Sequence, residues 1–212
     1  MAGKSAPERR QRRPDGELSR TRILDAAAEI AAERGYEGTS IGAVSTKCGL
    51  PASSIYWHFK DKDDLIAAVI ERSFSNWLTA WQLPDAGSAE QRLAAMTTQT
   101  AVALVNSPDF LRLGLMLALE HRPVEPRARG MFLQVRDQAV HEISRNIHTL
   151  APGLTDAQAW QLATYAIAGA DGLFIAKEIG GDSVDFLALF AMHAQSLYDS
   201  AMRMSAQNTN SG

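Results

Sequence analysis

The sequence predicts an all-α fold, because its apolar residues recur at intervals of three and four along the chain. Alternating apolar and polar runs rich in β-branched residues, which are typical of strands, are absent from the sequence. Proline and glycine fall between the periodic segments, at Pro108, Pro123, Pro126, Pro152–Gly153 and Gly180–Gly181. These residues mark the ends of the predicted helices.

The first two helices are predicted from their apolar faces and end signals. The first covers Leu18–Arg34, and Gly35 is expected to end it. Its inward face carries Ile23, Ala27, Ile30 and Ala31. Thr39 is expected to cap the second helix, in which Cys48 lies on the apolar face. Cys48 is therefore interpreted as a small buried core residue and not as a redox switch.

The third helix is predicted over about Pro51–His58, after a turn marked by Gly49. At about 100° per residue, Ile55 points inward. The opposite and flanking positions carry polar and aromatic residues: Ser53, Ser54, Tyr56, Trp57 and His58. Two helices joined by a glycine-containing turn indicate a helix-turn-helix, whose second helix enters the DNA major groove. DNA is also the best candidate to cover an exposed tryptophan on so short a helix.

The fourth helix is expected to be capped by Asp61 and to run toward Pro84 without a flexible linker. Lys62, in its first turn, is a cation that could reach a DNA phosphate. Five further helices are predicted over residues 89–106, 110–121, 126–150, 155–179 and 183–204. The polar tail over 205–212 is expected to be disordered.

The composition is that of an ordinary soluble globular protein, with 46% hydrophobic and 21% charged residues in a chain of 212. No apolar run reaches the roughly 18 residues that a membrane span requires, and the charged N-terminus lacks the apolar core of a secretory signal. A single cysteine excludes an internal disulfide framework. The expected location is therefore cytoplasmic, with no membrane partner.

The net charge of −3 is unevenly distributed along the chain. Residues 1–64 contain 11 Lys or Arg and 10 Asp or Glu, whereas residues 65–212 contain 10 and 14. Arginines crowd the N-terminal segment: Arg9, Arg10, Arg12, Arg13, Arg20 and Arg22. Such a run forms either a solvated, disordered tail or contacts to the backbone or minor groove of DNA.

Catalysis is not predicted. The five histidines form no HExxH motif or other paired metal spacing, and no glycine-rich phosphate loop is present. No metal site and no cofactor are therefore expected.

The segment Thr39–Leu65, TSIGAVSTKCGLPASSIYWHFKDKDDL, resembles the helix-turn-helix of the TetR (tetracycline repressor-like) family of transcriptional regulators. The run IYWHF, over Ile55–Phe59, is especially similar to the family motif when it is followed by Lys62 and Leu65. The preceding ILDAAAEIAAERGYEGTS is similar to the family's first helix and turn. AGADGLF, over Ala168–Phe174, is similar to a small-residue motif in the family's dimerisation helix.

The resemblance implies a homodimer that binds operator DNA through its N-terminal helices and a small-molecule effector in its C-terminal body. The implied domains are a basic disordered arm (1–17), a helix-turn-helix domain (18–64), an effector-binding and dimerisation domain (65–204) and the tail (205–212). The positions that match family DNA contacts are Thr39, Ser53, Ser54, Tyr56, Trp57, His58 and Lys62. Ala52 stands where many members have a longer polar residue, so the preferred bases are not carried over.

The effector pocket is expected to combine methionine, aromatic and polar side chains of the body. The candidates are Trp77, Trp81, Met96, Phe110, Leu113, Met116, His121, Met131, Phe132, Trp160, Asp171 and Phe174. Asp171 has two interpretations, since it either orients an effector or bridges the dimer helices. The ordinary alternative for all of these residues is a helical core without a ligand.

The dimer interface is expected on the last two helices, because glycines inside a helix are unfavourable unless another helix approaches closely. The candidate residues are Ala166, Gly169, Ala170, Leu173, Phe186, Phe190, His193 and Leu197. The alternative is that these residues of both helices belong to the hydrophobic core of one chain.

The predicted function is a homodimeric, sequence-specific repressor that a small, largely apolar effector releases from its operator. The fourth helix is expected to couple the effector pocket to the DNA-binding head. The alternative is a regulator without a small-molecule ligand, controlled by a protein partner or by its own level. A further alternative is an activator or a dual regulator.

Overall fold

The computed structural model describes residues 8–78, 81–120 and 126–210, without the side chains of residues 8–14 and Asn76. Its described elements are helical and include no strand, which confirms the all-α prediction. They are α1 (Glu8–Gly38), α2 (Ile41–Cys48), α3 (Ala52–His58), α4 (Lys62–Leu78), α5 (Ala89–Asn106), α6 (Asp109–Leu119), α7 (Arg127–Leu150), α8 (Asp156–Gly180) and α9 (Phe186–Asn210). A short 3-10 turn over Gly181–Ser183 joins α8 to α9.

The terminal helices are longer than the sequence predicts. The backbone is helical from Glu8 and as far as Asn210, whereas the sequence predicts disorder over 1–17 and 205–212. At the N-terminus, arginine, glutamine and glutamate are good helix formers. At the C-terminus, the Asn208 side chain donates to the Gly153 carbonyl at 2.9 Å and holds the last turn in place. The expectations for residues 1–7 and 211–212 lie outside the described residues.

The described chain forms two compact units. Unit 1 contains described residues within Met1–Arg72 and Arg112–Phe132, and unit 2 contains those within Ser73–Leu111 and Leu133–Gly212. Three helices, α4, α6 and α7, therefore begin in one unit and end in the other. The sequence assigns all of 65–204 to the body, because helical periodicity does not reveal which helices become neighbours.

Unit 1 is organised around an apolar cluster shared by α1, α2, α3 and α4. Its buried members are Ile23, Leu24, Ala26, Ala27, Ile30, Val44, Cys48, Ile55, Phe59, Leu65 and Val69. Cys48 is 7% exposed, in agreement with its interpretation as a core residue. The Arg22 guanidinium donates to the Cys48 carbonyl at 2.7 Å and so ties α1 to the end of α2. Gly49 follows in the left-handed region, with φ of 67°, and turns the chain toward α3.

The start of α2 differs from the prediction by one residue. Ser40 is the N-cap, and its side chain accepts from the amide of Ala43. Thr39 is 1% exposed, and its hydroxyl donates to the Gly35 carbonyl at 2.8 Å. Gly35 has φ of 69° and interrupts the helical backbone of α1, where the sequence places the end of the first helix. Thr39 therefore closes the turn after α1, and Ser40 caps α2.

Helices α6 and α7 meet closely within unit 1 at Gly114. A Cβ atom at Gly114 would lie 2.0 Å from Cε2 of Phe132, whose side chain is 1% exposed. Gly130 of α7 has no such neighbour within 4 Å of the equivalent position. The two glycines thus occupy opposite environments in the same unit.

We expect Gly114→Ala to lower the free energy of unfolding by about 1–3 kcal/mol, because the new methyl group overlaps the buried Phe132 ring. Gly130→Ala, the matched control, should instead raise it by roughly 0.5–1 kcal/mol through helix propensity. Urea denaturation followed by circular dichroism measures both changes. Equal effects of the two substitutions would contradict this packing.

Candidate nucleic-acid interface and effector cavity

Helix α3 has one buried face and one exposed aromatic face. Ile55 is fully buried, whereas Trp57 is 77% exposed and Tyr56 is 56% exposed. The rings of Trp57 and His58 meet edge-on, with centroids 4.6 Å apart. Ser53 is exposed and Ser54 is half-buried on the same helix. The five candidate contact residues of α3 are thus accessible on a helix fixed from behind by Ile55.

His58 is suited to contact a base edge as a neutral imidazole. Partial burial, and secondarily the charge of Arg20, lower the pKa of His58 below its ordinary value. At pH 7 the ring then has one N–H donor and one nitrogen acceptor. Both kinds of group can pair with base edges in the major groove.

Two predicted phosphate contacts are engaged within the head. The buried Thr39 hydroxyl bonds to Gly35, so the structure contradicts its predicted phosphate contact. The Lys62 ammonium donates to the Tyr36 carbonyl at 3.2 Å and lies 4.2 Å from the centre of the Tyr36 ring. Ser40, which the sequence analysis missed, is exposed at the start of α2. Serine and threonine are both good caps, so only burial distinguishes neighbouring candidates.

Two of the N-terminal arginines stabilise the head itself. Arg22 bonds to the Cys48 carbonyl, and the Arg20 guanidinium lies 5.4 Å from the centre of the Phe59 ring. Both therefore hold α1 against the helix-turn-helix. The side chains of Arg9, Arg10, Arg12 and Arg13 lie outside the described residues.

Unit 2 contains a cavity of about 150 Å³ between α4, α5, α6, α7, α8 and α9. Its lining includes four clustered aromatic rings: Phe74, Trp77, Trp81 and Phe110. The Trp77 and Phe110 ring centroids lie 5.4 Å apart, and those of Phe74 and Trp81 lie 5.7 Å apart. Most of the remaining lining is aliphatic. The cavity therefore suits a largely apolar occupant.

Part of the predicted pocket lines this cavity, namely Trp77, Trp81, Met96, Phe110 and Asp171. Other predicted residues do not: Leu113, Met116, Met131, Phe132, Trp160 and Phe174. Leu113, Met116, Met131 and Phe132 belong to unit 1, and Trp160 is 42% exposed. His121 lies outside the described residues. Residue type predicts an apolar environment, but it does not predict which unit the side chain joins.

A bidentate ion pair contributes charge to the cavity lining. Arg136 Nη1 donates to Asp171 Oδ1 at 2.8 Å, and Arg136 Nη2 donates to Asp171 Oδ2. The two side chains are 28% and 16% exposed. Asp171 is therefore paired with α7 of its own chain.

Three polar groups of the cavity lining have defined environments. The Asn146 amide donates to the Trp81 carbonyl at 2.9 Å. His193 Nε2 lies 3.0 Å from the Ala166 carbonyl, so this nitrogen carries the proton. The buried Trp77 Nε1–H has no hydrogen-bond partner among the described residues.

The residues predicted to form the dimer interface pack largely within unit 2 of the same chain. Phe186 and Phe190 are 4% and 7% exposed. A Cβ atom at Gly169 would lie 2.1 Å from the His193 ring of the same chain. The remaining members are Ala166, Ala170 and Leu197, which line the cavity, and the half-buried Leu173. The small residues of α8 therefore admit α9 of the same chain.

The outer side of α8 and α9 carries a different apolar surface, the α8–α9 face. Its exposed residues are Tyr165, Ala168, Gly172, Ile175 and Ile179 on α8, and Leu187, Ala191, Met192 and Met202 on α9. Ile179 is 82% exposed and Met192 is 64% exposed. An apolar surface of this kind is typical of an interaction site.

We expect Arg136→Met to destabilise unit 2 by about 3 kcal/mol, because it leaves the largely buried Asp171 carboxylate unpaired. The double variant Arg136→Met with Asp171→Leu removes both charges. Its free energy of unfolding should lie within about 1 kcal/mol of that of the original protein. Urea denaturation of both variants and of Asp171→Leu completes the double-mutant cycle. Additive losses in that cycle would show that the pair does not couple energetically.

Within the residues that the structure describes, no single helix has both the length and the apolar character needed to cross a membrane. The bent pair formed by α5 and α6 meets that requirement only when its two helices are combined. No group of three or more His, Cys, Asp or Glu among the described residues is arranged to hold a metal ion.

Comparisons with known proteins match both the head and the fold. Residues 23–69 match the family model for bacterial regulatory proteins of the tetR family. The HTH-type transcriptional repressor Rv1353c of Mycobacterium tuberculosis is 26% identical over 153 residues. That alignment covers 72% of this chain and 56% of the relative, so the chain spans about half of the relative's length.

Two solved structures share the fold at low sequence identity. A tetR-family transcriptional regulator from Streptomyces coelicolor has a TM-score of 0.71 and 17% identity, and the match covers 90% of this chain and 83% of that one. The regulator FadR from Bacillus subtilis, in complex with stearoyl-CoA, has a TM-score of 0.67 and 19% identity. The match covers 84% of this chain and 97% of that one. The helix-turn-helix geometry and the family match over it assign residues 23–69 to the tetR family of bacterial regulatory proteins, and the chain shares the all-α fold of both solved regulators.

Proposed function

We propose that this chain is a homodimeric, sequence-specific repressor that a small, largely apolar effector in the unit 2 cavity releases from its operator. The observation that carries the proposal is the exposed aromatic face of α3, because Trp57 and Tyr56 extend into solvent from a rigidly packed helix. Repression is supported by the name of the Mycobacterium tuberculosis relative. The cavity favours a ligand-controlled regulator over one without a small-molecule ligand.

The DNA contacts are assigned by the chemistry of the exposed groups. Ser53, Ser54 and His58 address base edges, since each carries groups that donate and accept hydrogen bonds. The Tyr56 hydroxyl bonds to a phosphate, and the Trp57 ring packs on the groove wall. The exposed Ser40 replaces Thr39 as the proposed phosphate contact near α2. Lys62 retains a phosphate role that requires its ammonium to leave the Tyr36 carbonyl.

The dimer is proposed to form through the α8–α9 face. A twofold interface uses the same patch on both chains, and two antiparallel helices per chain give a four-helix contact. Gly172 and Ala168 allow close approach there, since a Cβ at Gly172 would meet no atom of the described residues within 4 Å. A second copy would thus cover an apolar surface that this chain leaves exposed. The paired heads would address half-sites separated by one or more turns of DNA.

Two helices are proposed to carry the effector's influence to the DNA. Helix α4 begins at Lys62, next to α3, and contributes Phe74 and Trp77 to the cavity. Helix α7 begins with amides that bond to the Asp63 carboxylate of the head, and it contributes Arg136 to the cavity. An effector that favours another position of either helix would change operator affinity, by thermodynamic linkage.

We expect Trp57→Ala and Tyr56→Ala each to weaken operator binding at least about tenfold, because each removes an exposed group proposed to meet DNA. Fluorescence anisotropy on DNA from the gene's own upstream region, across a salt series, measures the loss. Lys47→Ala is the control in the same head, since Lys47 is already paired with Glu29 at 2.5 Å. Unchanged affinity in both aromatic variants would rule out α3 as the recognition helix.

We expect Ile175→Asp and Met192→Asp each to shift the chain from dimer to monomer, because each buries an unpaired carboxylate in the proposed interface. Val105→Asp is the matched control, since Val105 is 49% exposed on α5, outside the α8–α9 face. Analytical ultracentrifugation at micromolar concentration gives the association state. A wild-type chain that sediments as a strict monomer would refute the dimer.

A further inference from the structure

The size of the cavity limits its occupant. Its volume is about 150 Å³. An apolar cavity of roughly 150 Å³ accommodates a single benzene-sized ring, whereas drug-sized ligands occupy pockets of roughly 300–1,000 Å³. The aromatic cluster of Phe74, Trp77, Trp81 and Phe110 offers edge and face contacts to such a ring. The geometry therefore favours a compact ring system over a long acyl chain.

The charges of the lining favour an uncharged occupant. The lining includes one cationic and one anionic side chain, Arg136 and Asp171, and they neutralise each other through two hydrogen bonds. An anion would place a second negative charge beside the mostly buried Asp171 carboxylate, and it would lose its own hydration. A cation would place a second positive charge beside the Arg136 guanidinium, with the same loss of hydration. A neutral molecule enters without disturbing the pair.

One buried donor of a lining residue has no hydrogen-bond partner in the part of the chain that the structure describes. Trp77 is 6% exposed, and its Nε1–H has no partner among the described residues. By contrast, the Asn146 amide is used by the Trp81 carbonyl, and the His193 Nε2 proton is used by the Ala166 carbonyl. A buried N–H without a partner is unfavourable, so an acceptor atom of a ligand that came within hydrogen-bond distance of Nε1 would be stabilising.

We infer that the effector is a compact, uncharged ring compound that carries a hydrogen-bond acceptor, such as a ketone or ester oxygen, for the Trp77 indole N–H. This inference rests on the proposed function, because it assumes that the unit 2 cavity is the effector site. It distinguishes this chain from the similar Bacillus subtilis structure, which was solved in complex with stearoyl-CoA. Stearoyl-CoA is a long, multiply charged thioester, and neither its length nor its charge matches the cavity described above.

Three probes with the same benzene ring separate these requirements. Acetophenone is neutral and has a carbonyl acceptor, ethylbenzene has the same carbon skeleton without the acceptor, and benzoate is an anion of similar size. Isothermal titration calorimetry on the full chain gives the three dissociation constants. We expect acetophenone to bind at least about a hundredfold more tightly than benzoate, because an ion cannot shed its water cheaply into a dry site.

The indole donor is tested with Trp77→Phe and its matched control Trp81→Phe. Each variant replaces one indole of the aromatic cluster by the smaller phenyl ring, but only Trp77→Phe removes the N–H that has no partner among the described residues. The ratio of the ethylbenzene to the acetophenone dissociation constant cancels differences in packing and in ligand hydration. We expect this ratio to fall about tenfold in Trp77→Phe and to remain unchanged in Trp81→Phe. An equal ratio in all three proteins would overturn the inference.

A second measurement uses the unmodified protein, so it does not depend on the folding of a variant. With ¹⁵N-labelled tryptophan, acetophenone should shift the Trp77 indole N–H resonance downfield, and ethylbenzene should not. Tighter binding of benzoate or stearoyl-CoA than of acetophenone, or no binding of any ring probe, would overturn the inferred ligand class.

The operator assay keeps the two proposals distinguishable. If the chain binds its operator selectively but binds none of the ring probes, the inferred ligand class is refuted and the DNA-binding function is supported. Tight binding of acetophenone that leaves operator affinity unchanged would support the ligand class and refute ligand-controlled release.

Discussion

The Asp63 carboxylate joins three helices of unit 1, and the positions of those helices depend on it. It accepts from the Tyr36 hydroxyl of α1 at 3.1 Å, and from the first two amides of α7, those of Arg127 and Ala128. The amides at a helix start lack partners within the helix, and the helix dipole favours a negative charge there. Because Asp63 directly follows Lys62 in the first turn of α4, one side chain ties the end of the DNA-binding head to the start of α7.

Helices α8 and α9 each have a packed inner side and an exposed outer side. Their inner sides pack on each other, with the His193 ring over Gly169, and they complete the wall of the cavity. Their outer sides leave Ile179 and Met192 in solvent. A single helix pair can thus contribute to a ligand site and to an interface between chains. This arrangement would make the geometry of the proposed dimer sensitive to what fills the cavity.

The fold is shared with other regulators, whereas the residues that line the cavity are particular to this chain. Membership in a family of transcriptional regulators agrees with the prediction that the chain is not an enzyme. The cavity lining adds features of this particular sequence, namely the Arg136–Asp171 pair and the Trp77 indole N–H, which has no partner among the described residues. Regulators with a common fold can respond to different effectors when only the lining of the cavity differs.

The sequence by itself determined the all-α class, the central bounds of most helices and the outward face of α3, because helical period and capping are local properties. Tertiary structure decided which apolar stripe was buried. Gly169 and Phe190 were predicted to meet a second chain, and the structure shows that they pack within their own, because periodicity marks an apolar face without identifying the surface that covers it. The pairing of Arg136 with Asp171, and the burial of Thr39 beside the exposed Ser40, depend likewise on contacts between segments that the sequence keeps apart.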